Sequence, residues 1–171
     1  MSISRRSFLR NTAFTIAGST LVSNKLLATV PKGELTGIQL YSIRDDMKAN
    51  PMATLQELAK MGYKHVEHAN YINRKFYGWG ATEFKKILDD LGMAMPSGHT
   101  VMTAQHWDAT KKDFTDAWKY TVEDAAICGQ KFVISPSMHA ETRKNYDALK
   151  GFMEVFNKSG ELCNKSGMKF G

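Results

Sequence analysis

Glu67, His68 and His99 are side chains whose types and settings could carry chemistry. The stretch "KHVEH" (64–68) reads as a short strand, whose alternation puts His65 and Glu67 on one face and turns Val66 the other way. A carboxylate facing an interior is costly unless it is paired or bound to something. Glu67 therefore reads either as a proton-moving group or as half of a structural ion pair with a neighbouring strand. His65, deeper on that face, reads as a satisfied interior histidine. His99 follows "MPSG", where a histidine can hydrogen-bond a hydroxyl, shuttle a proton, ligate a metal or simply occupy a loop. His68, His106 and His139 carry weaker forms of the same signal. Trp79 and Trp107 lie in loops, where an indole stacks on a sugar face or merely packs. No Ser-His-Asp order, H-E-x-x-H or phosphate loop is present.

The elements that must position these residues are punctuated by glycine. "AKMGYKHVE", "DDLGMAMPS", "AICGQKFVIS" and "NKSGMKFG" each close a helical pattern and open an extended one within two residues. Their glycines are Gly62, Gly92, Gly129 and Gly167, spaced 30, 37 and 38 residues apart. Glycine suits the left-handed position that ends a helix, because it has no Cβ to clash there. The first helix is capped by Asn50, opens at Pro51 and buries Leu55, Leu58 and Ala59. Phe84, Ile87, Leu88 and Leu91 make the stripe of the second. Thr110 and Asp113 predict a capping box for the third, with Phe114, Ala117, Trp118, Thr121 and Ala125 inward. Leu149, Phe152, Met153, Phe156 and Cys163 line the fourth. Strands are expected over 37–42, 64–67, 94–97 and 131–135.

Strands alternating with helices imply a parallel sheet with right-handed crossovers. A doubly wound sheet would place a glycine-rich loop after its first strand, where this chain reads "YSIRDDMKANP". A barrel instead builds its site from side chains at the carboxyl ends of strands. Those ends here hold Gln39 and Tyr41, Glu67 and His68, Ser97 and His99, and Ser135. The expected fold is therefore α/β, of the (β/α)8 TIM-barrel type, with about four βα units and the start of strand five.

The chain has 171 residues, 43% hydrophobic and 23% charged, which suits one globular core. Its net charge of +6 is unevenly placed. Arg5, Arg6, Arg10 and Lys25 supply +4 within residues 1–28, which contain no acid, and the remainder carries only +2. No clustered basic face is left for a nucleic acid. "SRRSFLR" (4–10) has the twin-arginine form, followed by an uncharged stretch too short and polar to span a bilayer. Residues 1–28 are expected to be a twin-arginine signal peptide that directs export to the periplasm, with no stable membrane span. Cys128 and Cys163 lack ligand-like neighbours and read as small buried apolar residues.

The segments "GIQLYSIRDDM" (37–47), "LAKMGYKHVEHANY" (58–71), "EFKKILDDLGM" (83–93), "SGHT" (97–100) and "GMKFG" (167–171) carry a resemblance. Together they resemble the sugar phosphate isomerase/epimerase family of xylose isomerase-like TIM barrels, from about Thr36 to Gly171. The resemblance implies an exported isomerase or epimerase acting on a sugar or keto-sugar, through metal-assisted proton transfer next to a carbonyl. It implies a divalent ion (Mn, Mg, Co or Zn) held mainly from strands five to eight, so no metal ligand is assigned in this chain. Glu67 and His99 are the expected catalytic residues. Gln39, Tyr41, Arg44, His68, Trp79 and Trp107 are the expected substrate-binding residues. Such barrels need roughly 250 residues, so residues 29–171 are expected to be an N-terminal half. Alone it would be poorly soluble and inactive, and it would await a C-terminal half or a homo-oligomer. Two alternatives stand beside this reading. One is a metal-dependent lyase or hydrolase of 3-keto-glycosides on the same barrel; the other is a non-enzymatic carbohydrate-binding protein using the two tryptophans. DNA repair on a related endonuclease barrel fits poorly with export and the low remaining charge.

Overall fold

Four helices close in the same way, and that closure generates the fold. The computed structural model describes residues 37–171. Gly62, Gly92, Gly129 and Gly167 all take positive φ, between +65° and +95°. In each case the next residue donates its N–H to the carbonyl five positions back: Tyr63 to Leu58, Met93 to Leu88, Gln130 to Ala125 and Met168 to Cys163. This closes the last helical turn and releases the chain directly into a strand.

The strands so launched form one parallel sheet. It holds β1 (Gly37–Gln39), β2 (His65–His68), β6 (Ala94–His99), β9 (Phe132–Ile134) and β10 (Lys169–Phe170), side by side in chain order. After β1 come a 3₁₀ turn (Leu40–Ile43), α1 (Arg44–Ala49) and α2 (Pro51–Lys60). The Asn50 side chain caps α2 by accepting from Ala53 N, as its sequence predicts. Three more helices follow: α3 (Ala81–Asp90), α4 (Asp116–Ile127) and α5 (Tyr146–Lys165).

The helices cover one face of the sheet and bury two apolar clusters there. Leu40, Leu55, Val66, Phe84, Leu88 and Met95 anchor the first, under α2 and α3. Trp118, Val122, Val133, Cys163 and Met168 anchor the second, under α4 and α5. Trp118 satisfies its indole N–H with Ser159 Oγ at 2.9 Å, inside that core. Both cysteines are buried and free, and burial pushes their thiols up, to about 12 for Cys128 and about 11 for Cys163.

Three segments differ from the sequence expectation. The first strand, expected over 37–42, stops at Gln39, and Leu40–Ile43 turn into a 3₁₀ helix. Thr110 and Asp113 do not cap a helix. They belong to a hairpin of β7 (Trp107–Asp108) and β8 (Asp113–Phe114), and α4 begins only at Asp116, behind Thr115. Asp108 Oδ1 instead accepts from the Thr110 and Lys111 N–H groups, so the turn draws its local hydrogen bonds from that aspartate. The second addition is a three-stranded antiparallel meander between β2 and α3: β3 (Tyr71–Ile72), β4 (Lys75–Phe76) and β5 (Trp79–Gly80). The expected signal peptide, residues 1–28, lies outside the described residues. Among the described residues no helix is long and apolar enough to cross a membrane.

Candidate active site at the carboxyl ends of the strands

Register brings three polar side chains from adjacent strands into one row. Gln39 on β1 stands opposite Glu67 on β2, and Glu67 stands opposite Ser97 on β6. The second pairing depends on an irregularity: between the two pairs His65–Ala94 and Glu67–Ser97, β6 holds one more residue than β2. Pro96 falls within that bulge, which explains a proline inside an interior strand.

The row forms a closed hydrogen-bond cluster with His99. Gln39 Nε2 donates to Glu67 Oε1 at 2.7 Å, and Ser97 Oγ donates to Glu67 Oε2. Gln39 Nε2 also lies 3.0 Å from His99 Nδ1. The same amide nitrogen lies 3.2 Å from His99 Nε2. That ring nitrogen also sits 3.1 Å from Glu67 Oε1, which as a carboxylate oxygen can only accept, so the neutral ring that suits this cluster carries its proton on Nε2. Glu67 is thus both a hydrogen-bond partner of side chains on the neighbouring strands and a carboxylate at the strand ends. Its side chain and that of His99 remain 25% and 24% exposed, so a ligand can reach both. The arrangement can take a proton at Glu67 and give one from His99.

The other expected site residues separate into groups. Tyr41 lies in the 3₁₀ turn after β1 and Arg44 opens α1, with the guanidinium carbon 4.9 Å from the Tyr41 ring centroid. They line a cleft of about 460 Å³ with Lys48, Asn70 and Tyr77. His68 is not in the Glu67 row. Alternation turns it to the helix side, where it is 2% exposed and packs edge-on against Phe76, 4.7 Å between centroids. Burial, with a smaller push from His99, lowers its pKa to about 3 and keeps it neutral. Trp79 stacks on Phe84, and Trp107 packs edge-on against Phe114, so both rings serve the apolar clusters. His65 is interior, but its buried Nδ1 has no partner, unlike the satisfied histidine expected there.

Ser97 was read as a strand-end group but was not among the expected catalytic or substrate-binding residues, although it holds one oxygen of Glu67. Only the inter-strand register reveals that bond, and a bulge sets that register. A second cleft, about 630 Å³, opens beside His99 between the meander and α4. It too was invisible in the sequence, because the meander strands are two residues long.

Among the described residues no three His, Cys, Asp or Glu side chains converge to hold a metal ion. Glu67 and His99 are only two donors, with the Gln39 amide hydrogen-bonded to both. These residues alone do not fit the expected divalent ion, and no step is derived through one.

A parallel sheet in chain order, covered by helices on one face and carrying its polar row at the carboxyl ends of the strands, has the arrangement of an α/β barrel. The chain belongs to the xylose isomerase-like TIM barrel family, whose model matches residues 55–171. Two crystal structures of sugar phosphate isomerase/epimerases from Parabacteroides distasonis ATCC 8503 are similar. One has a TM-score of 0.68 at 25% identity, covering 83% of this chain and 51% of its own. The other has a TM-score of 0.65 at 26% identity, covering 81% and 54%. D-psicose 3-epimerase, crystallised in the presence of D-fructose, shares the fold at 15% identity and a TM-score of 0.53, covering 78% and 50%. The chain spans about half the length of these structures. No curated protein matches it by sequence.

Proposed function

We propose that the Glu67–His99 pair moves protons next to the carbonyl of a sugar or keto-sugar, as a sugar isomerase or epimerase requires. The observation that carries this reading is the cluster itself: Glu67 held at both oxygens, with His99 Nε2 3.1 Å from one of them. Glu67 would accept the proton from the carbon beside the carbonyl while His99 gives its Nε2 proton to the carbonyl oxygen, leaving an enediol. To complete an isomerisation, Glu67 gives its proton to the former carbonyl carbon while His99 takes the proton of the neighbouring hydroxyl. To complete an epimerisation, a group across the substrate, outside residues 37–171, protonates the opposite face of the original carbon while the enediol oxygen returns its proton to His99. Gln39 and Ser97 orient Glu67 and so act as positioning residues. Well-placed acid–base groups contribute typically 10²–10⁴-fold to such steps.

The reading is supported by the family and by the two relatives of 25% and 26% identity. It concerns the part of a cleft built by residues 37–171, and any metal would be held by groups beyond these. The twin-arginine motif supports export, which N-terminal sequencing of the protein from its native source would test by finding a start near residue 29. For the activity, protein from that source is incubated with aldoses and ketoses in D₂O, with Mn²⁺, Mg²⁺, Co²⁺ or Zn²⁺ added in turn. Proton NMR should show loss of the C–H signal beside the carbonyl, and Glu67→Gln should slow it by about 10²-fold or more. Exchange that persists at full rate in Glu67→Gln would overturn the assignment.

A further inference from the structure

The 630 Å³ cleft beside His99 has a composition that bears on what the reacting pair could hold. His99 belongs to both the cluster and the cleft, so whatever fills the cleft abuts the group bound at Glu67. Its volume is within the range of about 300–1,000 Å³ typical of pockets for drug-sized ligands. The cleft is also walled by a fixed structure. Meander residues Tyr71 and Arg74 are tied to the buried Asp124 of α4, at 2.6 Å from the phenol and at 2.6 and 3.0 Å from the guanidinium. A wall held in this way is formed before any ligand arrives.

Charge and polarity then select the ligand. No lysine lines the cleft, and its one arginine, Arg74, is matched by Asp124 and Glu123. Burial holds His106 below the ordinary histidine range, so it adds no cation at neutral pH. What remains is apolar surface on Ile72, Val101 and Tyr120, each at least 37% exposed, beside the neutral donors and acceptors of Asn70, Asn73 and Thr100. An apolar face edged with neutral hydrogen-bonding groups matches a ring that carries hydroxyls or an aryl group, and it presents no unpaired lysine or arginine to a phosphate.

We infer that this cleft holds an uncharged second ring joined to the keto-sugar that reacts at Glu67 and His99, so that the substrate is a glycoside with a ketone on its reacting ring and not a phosphorylated sugar. The inference rests on the proposed role of the Glu67–His99 pair. Tyr120, Ile72 and Val101 contact the second ring, and Asn73 and Thr100 meet its polar edge.

The test is chemical-shift mapping on the ¹⁵N-labelled full chain. The probes are glucose, galactose and xylose, their phenyl β-glycosides, and glucose 6-phosphate. The phenyl glycosides should move the amides of Asn73, Thr100, Val101 and Tyr120 and bind about tenfold tighter than the parent sugars. Ala117→Trp, on the exposed face of α4 that lines the cleft, should erase that gain and leave parent-sugar binding unchanged. Shifts confined to Gln39, Glu67 and His99 with every probe would overturn the second-ring inference and keep the reading of the pair. Shifts at the cleft with none at Glu67 or His99 would keep a ring-binding cleft and overturn the inference as a substrate site. Tighter binding of glucose 6-phosphate at the cleft, or silence with all probes, would also overturn it.

Discussion

His68 sits where a histidine is hardest to charge, and its neighbours explain how it fits at all. A Cβ built on Gly98 would stand 2.0 Å from His68 Nε2 and 2.9 Å from Gln130 Nε2. The glycine is therefore required by the close approach of a buried ring, and its own φ plays no part. Gly98→Ala should destabilise the fold by about 1–3 kcal/mol, the usual cost of overpacking a filled core. Urea unfolding at neutral pH would measure it, and His68→Ala in the same chain should recover part of the loss. Because Ser97 and His99 flank Gly98, the same substitution should also displace the site. The titration of His68 gives a second expectation. Its folded pKa, about 3, is below its ordinary value of 6.5, so the unfolded chain takes up a proton that the folded chain refuses. Stability is complete above pH 6.5 and falls as the pH drops toward 3, by about 1.4 kcal/mol per unit for one such group. His106, also lowered by burial, adds to the loss with the same sign. The urea midpoint should fall between pH 7.5 and 5, and His68→Leu should flatten that slope; an unchanged slope would mean that the ring is charged in the native state.

At the scale of elements, the meander is the feature that most shapes the candidate site, and one carboxylate holds it. Asp124 is buried on α4 and accepts from Tyr71 and from two nitrogens of Arg74, whose guanidinium also lies 4.1 Å from the Tyr120 ring centroid. Removing one partner of a buried pair costs about 3–5 kcal/mol. The Arg74 side chain is 43% exposed, so solvent reduces that figure, and Asp124→Ala should cost about 2 kcal/mol. Amide exchange should speed up across residues 71–80 and leave β2 and β6 protected. Exchange that rises evenly through the sheet would mean that the meander is no separate unit. These elements also mark the limit of what the sequence discloses. The glycine closures and the Asn50–Pro51 start were legible because each is a local demand of backbone geometry. The meander was not, because its strands are too short for alternation to register. Its turns, Asn73–Arg74 and Tyr77–Gly78, take positive φ with a single glycine between them. Thr110 and Asp113 imitated a helix cap, but the nearby hairpin won because Asp108 satisfied the turn. At the site, Glu67 and His99 could be singled out as strand-end groups, whereas their partnership with Gln39 and Ser97 depends on inter-strand register.

At the scale of the whole described unit, the sheet is finished on only one face. The helices cover the face carrying Val66 and Val133, and the opposite face carries the Gln39–Glu67–Ser97 row. Phe132 stands opposite Ser97 in register, on that same face, and is 44% exposed. The outer edges of β1 and β10 have no strand partner among the described residues. A parallel sheet is ordinarily covered on both faces, and an unpaired strand edge is a template for further pairing. Burying one phenylalanine is worth about 1.5–3 kcal/mol. Micromolar association needs about 8 kcal/mol, so Phe132 contributes a part, and the pairing of edges and the rest of the open face must supply the remainder. The 171-residue chain is therefore expected to self-associate, with a sedimentation coefficient that rises with concentration. Phe132→Lys should lower that association by about tenfold or more without unfolding the chain, because the position contributes to neither helix-side cluster. A single species that stays monomeric at every concentration would mean that this face needs no cover. The Glu67–His99 pair would then be open to solvent on its inner side, and the low-dielectric setting that proton transfer gains from a closed barrel would be absent.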